Sequence, residues 1–295
     1  MPALYRNFAT QADFDAQYNP SIALPDPTAP GRHFVALATQ TRAQLKSYLD
    51  VPFGPTLAET VDIFPADTTD ATLAPVFVFI HGGYWRALSS KEFSWIAMAL
   101  QTMGITTVVT NYALCPHVTI DEITRQTRAA LAWTLRNIQN YGGDPARVTI
   151  GGHSAGGHLT AMALQTEWAA DYGLPQDPFV AALPFSGLFD IEPLRYSYLQ
   201  PQIQLDDRTI RHNSPAFSVR PCKTPIWITW GGAESTEFAR QSQIYHQAWL
   251  AAGNTAELHA VPDADHFTVI AGFERADSAV CRWLAVKLRT ASRND

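Results

Sequence analysis

Residues 148–159 read Val-Thr-Ile-Gly-Gly-His-Ser-Ala-Gly-Gly-His-Leu. A short β-branched run that breaks into glycines around one serine describes a strand forced to turn at once into a helix. Neither flank of such a turn can carry a bulky Cβ through so tight a reversal. Gly152, His153, Ser154, Ala155 and Gly156 make up this G-x-S-x-G elbow. It holds the Ser154 hydroxyl out at the carboxyl end of a strand, where a nucleophile would be useful. The competing reading takes Ser154 as a simple helix N-cap. The flanking pattern favours the elbow, because residues 148–150 suit a buried strand and residues 157–164 a small-residue helix packed close to a sheet.

A serine hydroxyl is a weak nucleophile, so the chemistry requires a base, a carboxylate that orients the base, and donors for the developing oxyanion. Residues 76–80 form a continuous apolar run of the central-strand kind, followed by His81-Gly-Gly-Tyr-Trp-Arg86. Two glycines at such a strand end allow backbone N–H groups to turn inward, so Gly82 and Gly83 are the expected donors, joined by Ala155 from the elbow. Tyr84, Trp85 and His153 are the expected pocket residues, with packing as the alternative for the two aromatics. His81 is expected to brace the loop through a ring hydrogen bond. His158 flanks the elbow without being placed as its base.

The acid should follow a later strand. After residues 226–230 comes Gly231-Gly-Ala-Glu-Ser-Thr-Glu237, where Glu234 is the expected orienting acid. Its competitor, Glu237, reads as a first-turn acid complementing the dipole of the next helix. After residues 257–261 comes Val261-Pro-Asp-Ala-Asp-His266, and His266 is the expected base. His259 falls within the strand and is expected to pack or lie on a sheet face, while Asp263 and Asp265 read as loop residues that bond their own backbone. The order Ser154, Glu234, His266 is the one found in α/β-hydrolases.

The rest of the chain alternates strands and helices. Strands are expected at 61–64, 76–80, 106–110, 148–150, 179–185, 226–230 and 257–261. Helices are expected at 89–103, 121–141, 157–164, 237–252 and 277–289. This pattern predicts an α/β fold with a mostly parallel sheet covered by helices on both faces. The 295 residues are read as one domain. Residues 1–50 form an appended arm, with short helices at 11–18 and 34–49 around the proline-rich 20–30. The arm either pads the domain or folds over the site. Residues 188–219 form a short insertion near the mouth of the site, either a surface excursion or a pocket wall.

Charge and cysteine usage exclude other classes. A net charge of -6 offers no basic field for nucleic acid or anionic lipid. No apolar run reaches the length of a membrane span, and the N-terminus lacks the pattern of a secretory signal. The three cysteines are widely spaced, which argues against a disulfide framework or zinc site and fits a cytoplasmic location. No H-E-x-x-H pattern is present, so neither metal nor other cofactor is expected. The expected partner is a small-molecule amide or ester; nothing in the sequence bears on a homo-oligomer.

The chain resembles the kynurenine formamidase (arylformamidase) branch of the α/β-hydrolase fold, which lies near the esterases similar to hormone-sensitive lipase. The resemblance runs through His81-Gly-Gly-Tyr-Trp85, Gly152-His-Ser-Ala-Gly-Gly-His-Leu159, Ser186-Gly-Leu-Phe-Asp190, Asn213-Ser-Pro-Ala-Phe217 and Glu234-Ser-Thr-Glu-Phe-Ala-Arg-Gln-Ser242. It implies Ser154 as nucleophile, His266 as base, Glu234 as acid where the family often has aspartate, and Gly82, Gly83 and Ala155 around the oxyanion. It implies a serine hydrolase of the N-formylkynurenine formamidase kind in tryptophan degradation. The alternatives are a general carboxylesterase acting on short-chain esters, aryl esters or carbamates, and a non-catalytic binding module on the same fold.

Overall fold

Seven of the eight strands run the same way. In order along the chain they are β1 (Tyr48–Pro52), β2 (Thr60–Phe64), β3 (Ala74–Ile80), β4 (Thr106–Thr110), β5 (Gly143–His153), β6 (Ala181–Phe185), β7 (Ile226–Gly231) and β8 (Ala256–Val261). They lie side by side as β1-β2-β4-β3-β5-β6-β7-β8, with only β2 reversed against its neighbours β1 and β4. The computed structural model describes residues 4–67 and 72–291, so the first three residues of the arm lie outside the described residues.

The helices are α1 (Gln11–Tyr18), α2 (Ala29–Gln44), α3 (Ile96–Thr102), α4 (Ile120–Asn137), α5 (Ala155–Leu164), α6 (Trp168–Tyr172), α7 (Gln200–Ile203), α8 (Asp207–His212), α9 (Thr236–Ala251) and α10 (Ala279–Ala291). Their placement follows from the strand period of two. Along β3, Val76 and Val78 face the cluster that includes Leu131 of α4, Ala161 of α5 and Trp249 of α9. Phe77 and Phe79 face the opposite cluster, which includes Leu100 of α3, Leu284 of α10 and Phe34 of α2. Both sheet faces are therefore covered; β4 is buried throughout, β3 at all but Pro75, and β5 over 148–153.

Several expected elements differ in detail. The single helix expected at 89–103 divides into a 3-10 turn (Ser90–Glu92) and α3. Glu92 is drawn back by the Ser89 N–H and hydroxyl in a capping box, and Phe93 and Trp95 turn into the core between the two pieces. The helix expected at 34–49 starts earlier, at Ala29, with Pro30 in its first turn, where a proline nitrogen forfeits no bond. It ends at Gln44, and the chain goes on into the unforeseen edge strand β1. From α2 the Arg42 guanidinium bonds Lys91 O and the Ser94 hydroxyl. The short helix α6 was also unforeseen.

The arm is integral to the packing. Phe34 and Ala38 of α2 are buried against one sheet face, while Phe14 and Tyr18 of α1 join a third cluster with Trp85, Leu188 and Phe238. That third cluster sits above the carboxyl ends of the strands, where α/β sheets bind ligands.

Candidate active site

Ser154 joins β5 to α5 with φ 59° and ψ −118°, a conformation that costs a non-glycine residue about 1–3 kcal/mol. The turn survives because its flanks are glycine. A Cβ on Gly156 would lie 1.9 Å from Ile80 O, and one on Gly152 would lie 2.3 Å from Gly156 O. The Ser154 N–H bonds Phe185 O at 2.8 Å, tying the elbow to β6.

His266 lies in the loop after β8, and its Nδ1 meets Glu234 Oε1 at 2.5 Å. The two side chains are 5% and 1% exposed, so this pair is shielded from solvent. The other oxygen of Glu234 accepts from the Gly231 N–H at 2.5 Å and from the Ser186 hydroxyl at 2.7 Å. Three donors thus fix the carboxylate, and Nδ1 must carry the proton toward it, leaving Nε2 as the basic nitrogen. Ser186 was in the sequence as part of Ser186-Gly-Leu-Phe-Asp190 without a role. Its φ of 45° at the end of β6 marks a second reversal beside the elbow.

Glu237 does not share this position. It is buried in the first turn of α9, as expected of a first-turn acid, accepts from the Tyr18 hydroxyl at 2.6 Å and pairs with Arg240 at 2.8 Å. From there it also fastens α1 to α9. His259 packs on Trp227 at a ring distance of 4.4 Å, on the sheet face and away from Ser154. Asp265 accepts from the N–H groups of Phe267 and Thr268, as a loop aspartate does.

Ser154, His266, His153, Gly82, Gly83 and Tyr84 all line one cavity of about 350 Å³. Asn19, Pro20, Ser21 and Phe34 from the arm and Tyr198 from the insertion complete its wall. The arm therefore narrows the site, and the insertion borders it. Ala155 is the first residue of α5, so its N–H has no partner within the helix. Gly83 has φ 112°, and a Cβ there would lie 2.1 Å from Ala87 O.

The histidines around the site are held neutral. His81 Nδ1 meets Gly82 O at 2.7 Å, and its ring stacks on Tyr112 at 4.0 Å; burial pushes its pKa down to about 4. His153 Nε2 donates to His266 O at 2.7 Å. Burial, then the neighbouring His266, keeps its pKa well below the usual range. His158 Nε2 donates to Asn213 O at 2.7 Å, and burial pushes its pKa down to about 4. Asn213-Ser-Pro-Ala-Phe217 thus anchors the insertion to the elbow helix.

The expectation for Trp85 is corrected. Tyr84 and Trp85 both have positive φ, 51° and 57°, which turns their side chains apart. Tyr84 reaches the cavity wall, and its hydroxyl donates to Tyr18 O at 2.5 Å. Trp85 is fully buried, its ring edge-on to His158 at 5.0 Å. Among the described residues, no group of three or more His, Cys, Asp or Glu side chains could hold a metal ion. No helix among them is long and apolar enough to cross a membrane.

Comparisons with known proteins agree with this architecture. The prolyl oligopeptidase family profile matches residues 124–289, and the profile described as BD-FAE matches residues 61–176. The chain is 30% identical over 247 residues to kynurenine formamidase of Salmo salar, covering 81% of this chain and 82% of that one. It is 28% identical over 269 residues to kynurenine formamidase of Danio rerio, covering 88% and 89%. A solved structure of a candidate thioesterase from Silicibacter sp. TM1040 superposes with a TM-score of 0.81 at 25% identity, covering 92% of this chain and 98% of that one.

Proposed function

The chain belongs to the kynurenine formamidase family of α/β-hydrolases, serine hydrolases that act on small amides or esters, and from that premise we propose that it removes a formyl group from an aryl amide of the N-formylkynurenine kind. The observation that carries the reading is that His266, held by buried Glu234, lines one cavity together with Ser154.

In this reading His266 Nε2 takes the Ser154 proton as Oγ attacks the formyl carbon. Gly82, Gly83 and Ala155 N–H groups receive the oxyanion, which would otherwise develop without solvent to stabilise it. The intermediate collapses, the C–N bond breaks, and protonated His266 hands its proton to the departing arylamine. Water, deprotonated by His266, then attacks the formyl ester on Ser154 and releases formate. Glu234 stabilises the imidazolium at both stages, while Ser186 and Gly231 hold Glu234 in place. The arm supports a small-acyl preference, since Phe34 and Pro20 crowd the cavity. A cytoplasmic location belongs to the same reading, supported by three buried unpaired cysteines.

A second reading, a carboxylesterase or thioesterase, is favoured by the likeness to the Silicibacter structure. The discriminating experiment measures kcat/KM for N-formylkynurenine beside p-nitrophenyl acetate and butyrate, with Ser154→Ala as blank. A formamide value well above both esters supports the formamidase. Ester turnover alone, persisting to butyryl, replaces it with the esterase. Fluorophosphonate labelling that does not depend on Ser154 would favour a binding module instead.

A further inference from the structure

One side chain in the cavity takes no part in acyl transfer. Arg86 follows Trp85 in the loop after β3, its N–H bonded to Gly83 O at 3.0 Å. Its guanidinium borders the cavity beside Tyr198, 6.0 Å from the ring centroid. Among the described residues no Asp or Glu pairs with that guanidinium; its polar neighbour is the neutral Tyr198 hydroxyl, and its buried Nε has no hydrogen-bond partner.

Several arginines elsewhere in the fold are paired within the chain. Arg42, Arg125 and Arg240 each bond carboxylates or carbonyls of the chain. The one carboxylate lining the same cavity, Glu92, is already engaged by the N–H and hydroxyl of Ser89, at 2.8 and 2.9 Å. A partly desolvated cation without an anion is costly, and its planar fork fits a carboxylate in two-point contact. On a chain of net charge -6, Arg86 is the one Lys or Arg among the residues lining this cavity.

We propose that Arg86 is a specificity-determining residue that receives a carboxylate carried on the leaving group, making the preferred substrates anionic aryl amides or esters. The inference rests on Ser154 being the acylated residue. A small acyl group held at Ser154 leaves the aryl side of the substrate to reach Arg86 and Tyr198.

The test uses the full-length enzyme and a matched ester pair, 3-(4-acetoxyphenyl)propanoate and its methyl ester, which share one acyl group and differ in charge. Wild type is expected to favour the acid by about 10- to 100-fold in kcat/KM, mostly through KM, the range of a charge-assisted hydrogen bond. In Arg86→Met the ratio should fall to near one, and Arg86→Lys should keep part of it. Because the ratio is taken on one preparation, partial loss of folded enzyme cancels. No preference in wild type, or a preference that survives in Arg86→Met, overturns the anchor. N-formylkynurenine is run alongside. An Arg86-dependent ester preference without formate release upholds the anchor and removes the formamidase reading. Formate release with no charge preference does the reverse.

Discussion

Ser154 adopts a strained backbone conformation, φ 59° and ψ −118°, and lines one cavity with His266. If Ser154 is the nucleophile, Ser154→Ala should lower kcat by on the order of 10⁶ while the urea midpoint of unfolding stays near wild type. The two glutamates separate by role. Glu234→Ala should cost about 10⁴ in kcat, as removal of a triad acid does. Glu237→Gln leaves the Glu234–His266 bond intact and breaks the contact to Arg240. Its expected effect is a loss of about 1–3 kcal/mol in stability with kcat changed far less, read by urea unfolding beside steady-state kinetics. This contrast was only half legible in the sequence. Both carboxylates follow β7 within six residues, and the direction of each side chain depends on where the turn ends and α9 begins.

At the level of elements, the tight approach of α5 to β3 governs the elbow. A Cβ on Gly156 would meet Ile80 O at 1.9 Å, a backbone atom that cannot swing away. Gly156→Ala should therefore displace α5, costing about 1–3 kcal/mol or more and abolishing turnover together, which circular dichroism melts and kinetics would register. Two buried histidines, His81 after β3 and His158 in α5, contribute to acid sensitivity. His81 and His158 are neutral in the folded chain, with pKa values near 4 against an ordinary 6.5. Between those two values the unfolded chain binds the additional protons, so stability rises with pH across that window. Tm should be flat above pH 6.5, fall as pH drops toward 4, and level off below it as far as these groups are concerned. His158→Gln should reduce that slope. A slope unchanged in His158→Gln would mean that its imidazole is protonated in the folded state.

For the whole molecule, the arm ties distant segments to the cavity. Tyr18 bonds Glu237 across 219 residues, and its carbonyl receives the Tyr84 hydroxyl from the oxyanion loop. Phe14→Ala, at a fully buried position, should weaken that docking by about 3–5 kcal/mol. Amide exchange in α1 should quicken, and KM should rise for neutral and anionic substrates alike, because Tyr84 loses its acceptor. The local requirements of this fold were readable beforehand. The glycines of the elbow, the apolar run of β3 with its glycine pair, and the loops that carry Ser154, Glu234 and His266 after β5, β7 and β8 are each steric or periodic demands met within a few residues of a strand end. Tertiary structure alone decided the rest: that Ser186 completes the carboxylate's bonds, that Glu237 ties α9 to Tyr18, that Trp85 packs away from the cavity, and that the arm and Arg86 border it. Those outcomes depend on contacts between segments tens to hundreds of residues apart, and only packing of the chain in three dimensions brings such partners together.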